Sequence, residues 1–193
     1  VRCNLLAYYV QQTFSIPVIH LLRSPYEVIA SQQRVKFPWL YELHHFAANE
    51  ALVSLLLDTF NYDIKQWNKL TNLEKLTLRW CIENVIPLQL QKAQNTQYRL
   101  VRYEELRNDI NVFLQLCYDF KLAPIANIEE EYTKPSSKTH PKSTVRNSTN
   151  SETGFLQEEL TQINAILDTF EVTFYPIKRN GENIFTKLGL KCY

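Results

Sequence analysis

The chain has 193 residues, 45% of them hydrophobic and 21% charged, which is the composition of an ordinary globular domain rather than of a disordered polymer. Its formal net charge of +1 gives it no global electrostatic reason to coat nucleic acid or an acidic membrane, so any anion site has to be built locally. No apolar run approaches the roughly 18 residues of a membrane helix, and the sequence shows neither a signal-peptide pattern nor a His/Cys spacing typical of a metal site.

Two absences sharpen these expectations. The chain contains no methionine, not even at position 1, which predicts a fragment or a processed product. It has only three glycines, all in the last quarter, where average usage would give roughly 13. A glycine-rich phosphate loop is therefore excluded from the first part of this sequence. The four scattered cysteines are expected to be reduced thiols, and we expect a cytoplasmic protein, with the Golgi lumen as the alternative for a membrane-anchored parent.

The first predicted elements are a strand, a tight turn and a helix. Residues 16–22 (IPVIHLL) form a short, nearly continuous apolar run, which is typical of a buried parallel strand. Ser24 fits the N-cap position, Pro25 fits the first helical position and Glu27 completes a Ser-x-x-Glu capping box. A helix is therefore predicted to begin there and to run to about Val35.

The later elements follow from the spacing of apolar residues. Apolar residues at helical spacing run from Trp39 to Phe60, and a helix from Leu70 to Ala93 follows, which Pro87 is expected to kink or end. A second buried strand is predicted from Tyr98 to Tyr103 and a helix from about Asp109 to Phe120. The chain continues with a polar and basic loop at 129–151 and a helix from Phe155 to Phe170. The order predicts an α/β fold. The long loop is either disordered or a functional lid, and its basic content favours the lid.

Arg23 is the first candidate for binding chemistry. It lies where a buried strand ends and a capped helix begins, which in open parallel sheets is the crevice that binds ligands. A helix N-terminus favours anions, and a guanidinium can hold a phosphate with two parallel hydrogen bonds. Ser31 lies almost two turns beyond Ser24, on the same helical face. The alternative is a strand-ending arginine paired with Glu27, together with an incidental helix serine.

The stretch IHLLRSPYEVIAS resembles the 3'-phosphate-binding strand-turn-helix of sulfotransferases that use 3'-phosphoadenosine 5'-phosphosulfate (PAPS). Arg23, Pro25 and Ser31 match that motif in residue type and spacing, while Ser24 stands where the family often has Asp. The resemblance implies that Arg23 and Ser31 bind the 3'-phosphate of the nucleotide.

Three further stretches resemble the same family in the expected order. LEKLTLRWCIEN is similar to its middle helix, with Trp80 and Asn84 in place, and YRLVRYEEL is similar to a strand and turn in which Tyr103 would line the adenosine site. SSKTHPKSTVRNST resembles the basic loop that closes over the nucleotide in carbohydrate-type members, with Lys138 and Arg146 as candidate phosphate contacts.

Each of these residues also has a structural interpretation. Trp80 is expected to belong to the core, Tyr103 could simply pack at the strand end, and Lys138 and Arg146 could be solvated loop charges. The neighbouring His44 and His45 are expected to pack or to face solvent rather than to act in catalysis.

The resemblance implies a three-layer, P-loop-kinase-like α/β domain with a parallel sheet flanked by helices, truncated at its N-terminus. It implies transfer of a sulfuryl group from PAPS to a hydroxyl of a carbohydrate or small molecule, without a metal. The family's 5'-phosphosulfate loop lies upstream of the Arg23 motif and has no counterpart here, so the catalytic residues are unassigned and this chain alone is expected to be inactive. The alternatives are a nucleotide or nucleoside kinase, which would need an upstream Gly-x-x-x-x-Gly-Lys-Ser/Thr loop, and a non-catalytic nucleotide-binding domain.

Overall fold

A computed structural model of the chain describes residues 4–92, 98–124, 126–134 and 154–176. The two strands are β1 (Val18–Leu22) and β2 (Tyr98–Arg102). The α-helices are α1 (Ala7–Phe14), α2 (Pro25–Val35), α3 (His44–Ala47), α4 (Glu50–Phe60), α5 (Asn72–Lys92), α6 (Tyr103–Asn108), α7 (Ile110–Asp119), α8 (Ile128–Thr133) and α9 (Gln157–Thr169), and short 3₁₀ turns span Asn4–Leu6, Pro38–Leu40 and Ile64–Lys69. Among these elements, no helix is both long enough and apolar enough to cross a bilayer.

The two strands pair in parallel, with Val18 opposite Tyr98 and Leu22 opposite Arg102. Their carboxyl ends therefore meet at one edge of the sheet, where α2 and α6 begin. This confirms the prediction of parallel strands at both places. The strands are not buried on both faces as predicted, because Ile19 and Leu21 of β1 are 40% and 48% exposed and Arg99 of β2 is exposed as well. Within the described residues the fold is mixed α/β and mostly helical, with this two-stranded sheet, and the three-layer arrangement stays a prediction.

The core is organised around α5, which packs against α2 on one side and α9 on another. Its side chains are buried on several faces, because Leu76, Trp80, Ile82 and Val85 are all 3% exposed or less. A helix that is apolar on most faces belongs in the centre of a domain. The expectation that Trp80 belongs to the core is thus confirmed.

Helix α2 begins where its local sequence predicts, but the predicted capping box forms only in part, because the Ser24 amide donates to Glu104 and the Glu27 carboxylate accepts from Arg23. The Ser24 hydroxyl accepts a hydrogen bond from the Glu27 amide at 3.5 Å, Pro25 occupies the first turn, and the helix ends at Val35 with Lys36 in the left-handed conformation. Capping, proline placement and the C-terminal residue are local effects, which explains why they could be predicted without tertiary information.

Several other elements differ from the prediction. The apolar residues between Trp39 and Phe60 are divided among a 3₁₀ turn, α3 and α4, and the Asn49 side chain caps the start of α4 by accepting from the Leu52 amide at 3.0 Å. Pro87 does not end its helix, which runs on to Lys92. Burial of the residues around it holds the helix together despite the hydrogen bond that a proline removes.

Three helices, α1, α6 and α8, were not predicted. Helix α6 starts directly after β2, and α8 occupies the first part of the segment that was predicted to be a loop. Both carry glutamates in the first turn, where the helix dipole favours negative charge. Lys134 at the end of α8 pairs with Glu130 and Glu131 at 2.8 and 2.6 Å.

Candidate functional site

Arg23 lies at the carboxyl end of β1, where the sequence places it. Its guanidinium donates to the Glu27 carboxylate from Nε at 3.1 Å and from Nη2 at 3.0 Å. The same guanidinium lies over the ring of Tyr103, 5.0 Å from the ring centroid. The structure thus brings two of the predicted site residues, Arg23 and Tyr103, into contact across the edge of the sheet. It also forms the ion pair of the alternative interpretation.

The backbone around Arg23 is held from two directions. The Trp80 indole N–H donates to the Arg23 carbonyl at 3.2 Å, and the Ser24 amide donates to Oε1 of Glu104 at 3.0 Å. Trp80 belongs to the central helix and Glu104 to the first turn of α6. The strand-to-helix turn is therefore fixed by both the core and the neighbouring strand end, which keeps the Arg23 side chain at one place on the sheet edge.

Ser31 continues the row that Arg23 and Glu27 begin. The three residues are spaced by four, and residues four apart are neighbours on one helix face. Because the Arg23 side chain reaches along the first turn of α2 to Glu27, the half-buried Ser31 lies about one further turn along the same face.

The segment after α9 forms a further wall of this edge. The Trp80 ring stacks on Phe174 with centroids 6.3 Å apart, and Arg102 donates to the Phe174 carbonyl at 3.1 Å. The Arg102 guanidinium also lies 6.0 Å from the ring centroid of Tyr175. Burial, reinforced by the negative charge of Glu104, raises the pKa of the Tyr175 hydroxyl, so it is a neutral donor at physiological pH.

Glu104, Arg102 and Tyr175 are the residues of this edge that sequence reasoning missed. Glu104 follows Tyr103 directly, so its position at the end of a predicted strand could have placed it at the sheet edge. Tyr175 lies 152 residues after Arg23 in the chain, and no local pattern links the two.

Behind the sheet edge, a buried polar pair joins β1 to the central helix. His20 is 6% exposed, and its Nε2 lies 3.2 Å from Oδ1 of Asn84, whose amide nitrogen donates to the Trp80 carbonyl at 2.8 Å. Burial lowers the pKa of His20, and the hydrogen bond with Asn84 offsets part of that shift. Asn84 therefore has a structural function in this chain, because it satisfies a buried imidazole.

The remaining sequence candidates lie away from this edge or outside the described residues. His44 and His45 are exposed in α3, as expected, with their ring centroids 3.6 Å apart. Lys138 and Arg146 lie outside the described residues. Cys81 and Cys117 are buried free thiols, and in the part of the chain that the structure describes no group of His, Cys, Asp or Glu side chains could hold a metal ion.

Comparison with known proteins yields no match: no family model, no curated protein and no solved structure is similar to this chain. Interpretation of the site therefore depends on its own chemistry. The sheet edge carries two cations, Arg23 and Arg102, whose guanidinium groups lie over aromatic rings, and it carries carboxylates that neutralise them. Such an arrangement can bind an anion with a flat, apolar neighbour, provided that the anion displaces a carboxylate from its arginine.

Proposed function

We propose that this chain belongs to a PAPS-dependent sulfotransferase and that it binds the 3'-phosphate end of the nucleotide. The observation that supports this most directly is the contact between Arg23 and Tyr103 at the carboxyl edge of two parallel strands. A guanidinium for the phosphate, an aromatic ring for the adenosine side and the Ser31 hydroxyl further along α2 are the groups that such a ligand end requires.

In this proposal the described residues bind and orient, and they do not carry out the transfer. PAPS, when bound, would supply the sulfuryl group that passes to a hydroxyl of a carbohydrate or small molecule. By analogy with phosphoryl transfer, such a reaction depends on positioning and charge stabilisation rather than on a covalent enzyme intermediate. The part of Arg23 is to exchange the Glu27 carboxylate for a phosphate, which it can do because its side chain is 33% exposed.

The test is calorimetric titration of the protein with 3'-phosphoadenosine 5'-phosphate and with AMP, which lacks the 3'-phosphate. We expect the bisphosphate to bind at least tenfold more tightly, which corresponds to a single charge-assisted phosphate contact. Arg23→Ala should abolish that preference, whereas the control Arg99→Ala, an exposed arginine on β2, should keep it. Equal affinity for the two nucleotides, or a preference that survives Arg23→Ala, would contradict the proposal.

A nucleotide-binding domain without catalytic activity would pass the same binding test. The two are separated by sulfuryl transfer itself, measured with labelled PAPS and a mixture of carbohydrate acceptors on the longest available form of the protein. Binding of the bisphosphate with no transfer to any acceptor would favour the non-catalytic domain.

A further inference from the structure

Residues 34–39 (Arg-Val-Lys-Phe-Pro-Trp), called here the aromatic corner, form an unbroken exposed stretch made of the last two residues of α2 and the four residues after it. Val35 exposes 41% of its surface, Phe37 49% and Trp39 46%. Single exposed apolar residues are common on protein surfaces, but three of them within five positions make a patch of the kind that marks a binding surface.

The two aromatic rings of the corner stack on one another. Their centroids are 5.8 Å apart and their planes are inclined by only 15°. At this separation the near-parallel rings are offset from one another, so each leaves part of its flat face open to a ligand. A flat surface of this kind matches the C–H face of a pyranose ring.

The backbone beneath the corner is fixed from inside the protein. The buried Arg79 guanidinium donates to the carbonyls of Trp39 at 2.9 Å, Leu40 at 2.8 Å and Glu42 at 2.7 Å. Leu40, the residue directly after the corner, is 2% exposed and anchors it in the core. Because the backbone is already ordered, little conformational entropy remains to be lost when a ligand binds.

The charge of the corner is positive. Arg34 and Lys36 are exposed, and neither forms an ion pair with any of the described residues. The sequence from 28 to 41 contains these two cations and no acidic residue. Their place at the end of α2 also suits the helix dipole, but the dipole gives no reason for the aromatic rings beside them.

We propose that the aromatic corner binds an acidic oligosaccharide, with a sugar ring stacked on Phe37 and Trp39 and with sulfate or carboxylate groups paired to Arg34 and Lys36. The corner favours a glycan over a lipid surface, because it contains no amphipathic helix of the kind that lies in a bilayer interface. The corner lies at the opposite end of α2 from Arg23, and the 11 residues of that helix span about 16 Å. It is therefore separate from the proposed nucleotide site.

The experiment is titration of the nucleotide-free protein with a heparin-derived hexasaccharide, a neutral hexasaccharide of glucose units, and vesicles of phosphatidylserine and phosphatidylcholine. Two double variants are compared with the unaltered protein, Phe37→Ala with Trp39→Ala and Arg34→Gln with Lys36→Gln. Tyr118→Ala combined with Lys121→Gln is the control, because it removes an exposed aromatic ring and an exposed cation elsewhere on the surface. Far-UV circular dichroism checks that each variant is folded.

We expect the acidic hexasaccharide to bind, and each corner variant to weaken that binding about tenfold, while the control leaves it unchanged. The neutral hexasaccharide should bind at least tenfold more weakly than the acidic one. Binding to the acidic vesicles alone, affinity unaffected by both corner variants, or no binding of the acidic hexasaccharide would each overturn the proposal. No nucleotide is present, so failure of the PAPS proposal leaves this result intact, and the reverse also holds.

Discussion

The ion pair between Arg23 and Glu27 joins a cation at a strand end to a carboxylate one helical turn away. Both interpretations of Arg23 predict this contact, because the spacing of four residues alone permits it. They differ in what happens when the carboxylate loses its charge. A structural pair would be weakened, whereas an anion clamp would be released from its internal competitor.

Glu27→Gln therefore distinguishes the structural ion pair from the anion clamp better than Arg23→Ala does. The amide keeps a hydrogen-bond acceptor for Arg23 but removes the negative charge that a phosphate must displace. We expect binding of 3'-phosphoadenosine 5'-phosphate to tighten roughly two- to fivefold, the equivalent of about 0.4–1 kcal/mol for a partly exposed pair. Calorimetric titration measures it. The control is Glu50→Gln, which removes the carboxylate of an exposed pair with Lys65 and should change nothing. Weaker binding by Glu27→Gln would show that Glu27 supports the ligand rather than competing with it.

His20 predicts a pH dependence of stability. Burial lowers its pKa below the usual 6.5, so the unfolded chain takes up a proton before the folded chain does. Above about pH 6.5 His20 is neutral in both states, and its titration does not reduce the free energy of unfolding. As the pH falls from there toward the lowered pKa of the folded state, the free energy of unfolding decreases, because the unfolded chain binds the proton more readily. Urea unfolding between pH 7.5 and pH 5 should show this decline.

In His20→Gln that part of the decline should disappear, because the glutamine side chain does not titrate. His44→Gln, at an exposed histidine of α3, should keep the slope of the unaltered protein. A slope that is the same in all three proteins would mean that other groups cause the acid sensitivity.

Among the elements, the 3₁₀ turn at the end of the aromatic corner is held by one buried side chain of α5. Arg79 of α5 is 6% exposed, donates to three carbonyls of the 39–42 segment and pairs with Glu83 at 3.2 Å. Replacing it by alanine would leave buried acceptors without donors and the Glu83 carboxylate without its cation. We expect Arg79→Ala to lower the free energy of unfolding by about 3–5 kcal/mol.

Urea denaturation followed by far-UV circular dichroism measures that loss. Arg99→Ala is the matched control, because Arg99 is 56% exposed and its nearest carboxylate oxygen, on Asp119, is 3.8 Å away. An exposed pair of this kind contributes at most about 1 kcal/mol. Similar losses for the two variants would mean that the carbonyls of the 39–42 segment find other donors when Arg79 is absent.

The elements that could be predicted from the sequence are those whose signals are local. The start of α2 followed from Ser24 and Pro25, and both strands followed from short apolar runs. The expectation that Pro87 could end its helix was wrong, because packing around α5, which only the tertiary structure reveals, offsets the cost of the proline. Arg23 could be singled out from its neighbours in the sequence. Its contacts with Tyr103 and Trp80, and the bond from the adjoining Ser24 amide to Glu104, join residues 57 to 80 positions apart and have no local signal.

For the whole molecule, the question is whether the helices on either side of the undescribed 135–153 segment share one core. Phe170, just after α9, is fully buried and stacks on Phe60 of α4 with ring centroids 4.8 Å apart. It also contacts the ring of Tyr62 at 5.3 Å, and the Tyr26 hydroxyl of α2 donates to Asn164 of α9 at 2.7 Å. These contacts connect parts of the chain more than 100 residues apart, so α9 belongs to the core formed by α2, α4 and α5.

Phe170→Ala tests this unity. The substitution leaves a cavity beside Phe60, and we expect a loss of about 3–5 kcal/mol, against about 1 kcal/mol for the better-filling Phe170→Leu. Tyr118→Ala, at a ring that is 80% exposed, should cost less than about 0.5 kcal/mol. If the core is single, tryptophan fluorescence and far-UV circular dichroism should give the same urea midpoint in each variant, because both report one cooperative transition. An early fluorescence or dichroism phase that appears only in Phe170→Ala would show instead that α9 unfolds by itself, and the C-terminal wall of the proposed nucleotide site, Phe174 and Tyr175, would then be separable from Arg23.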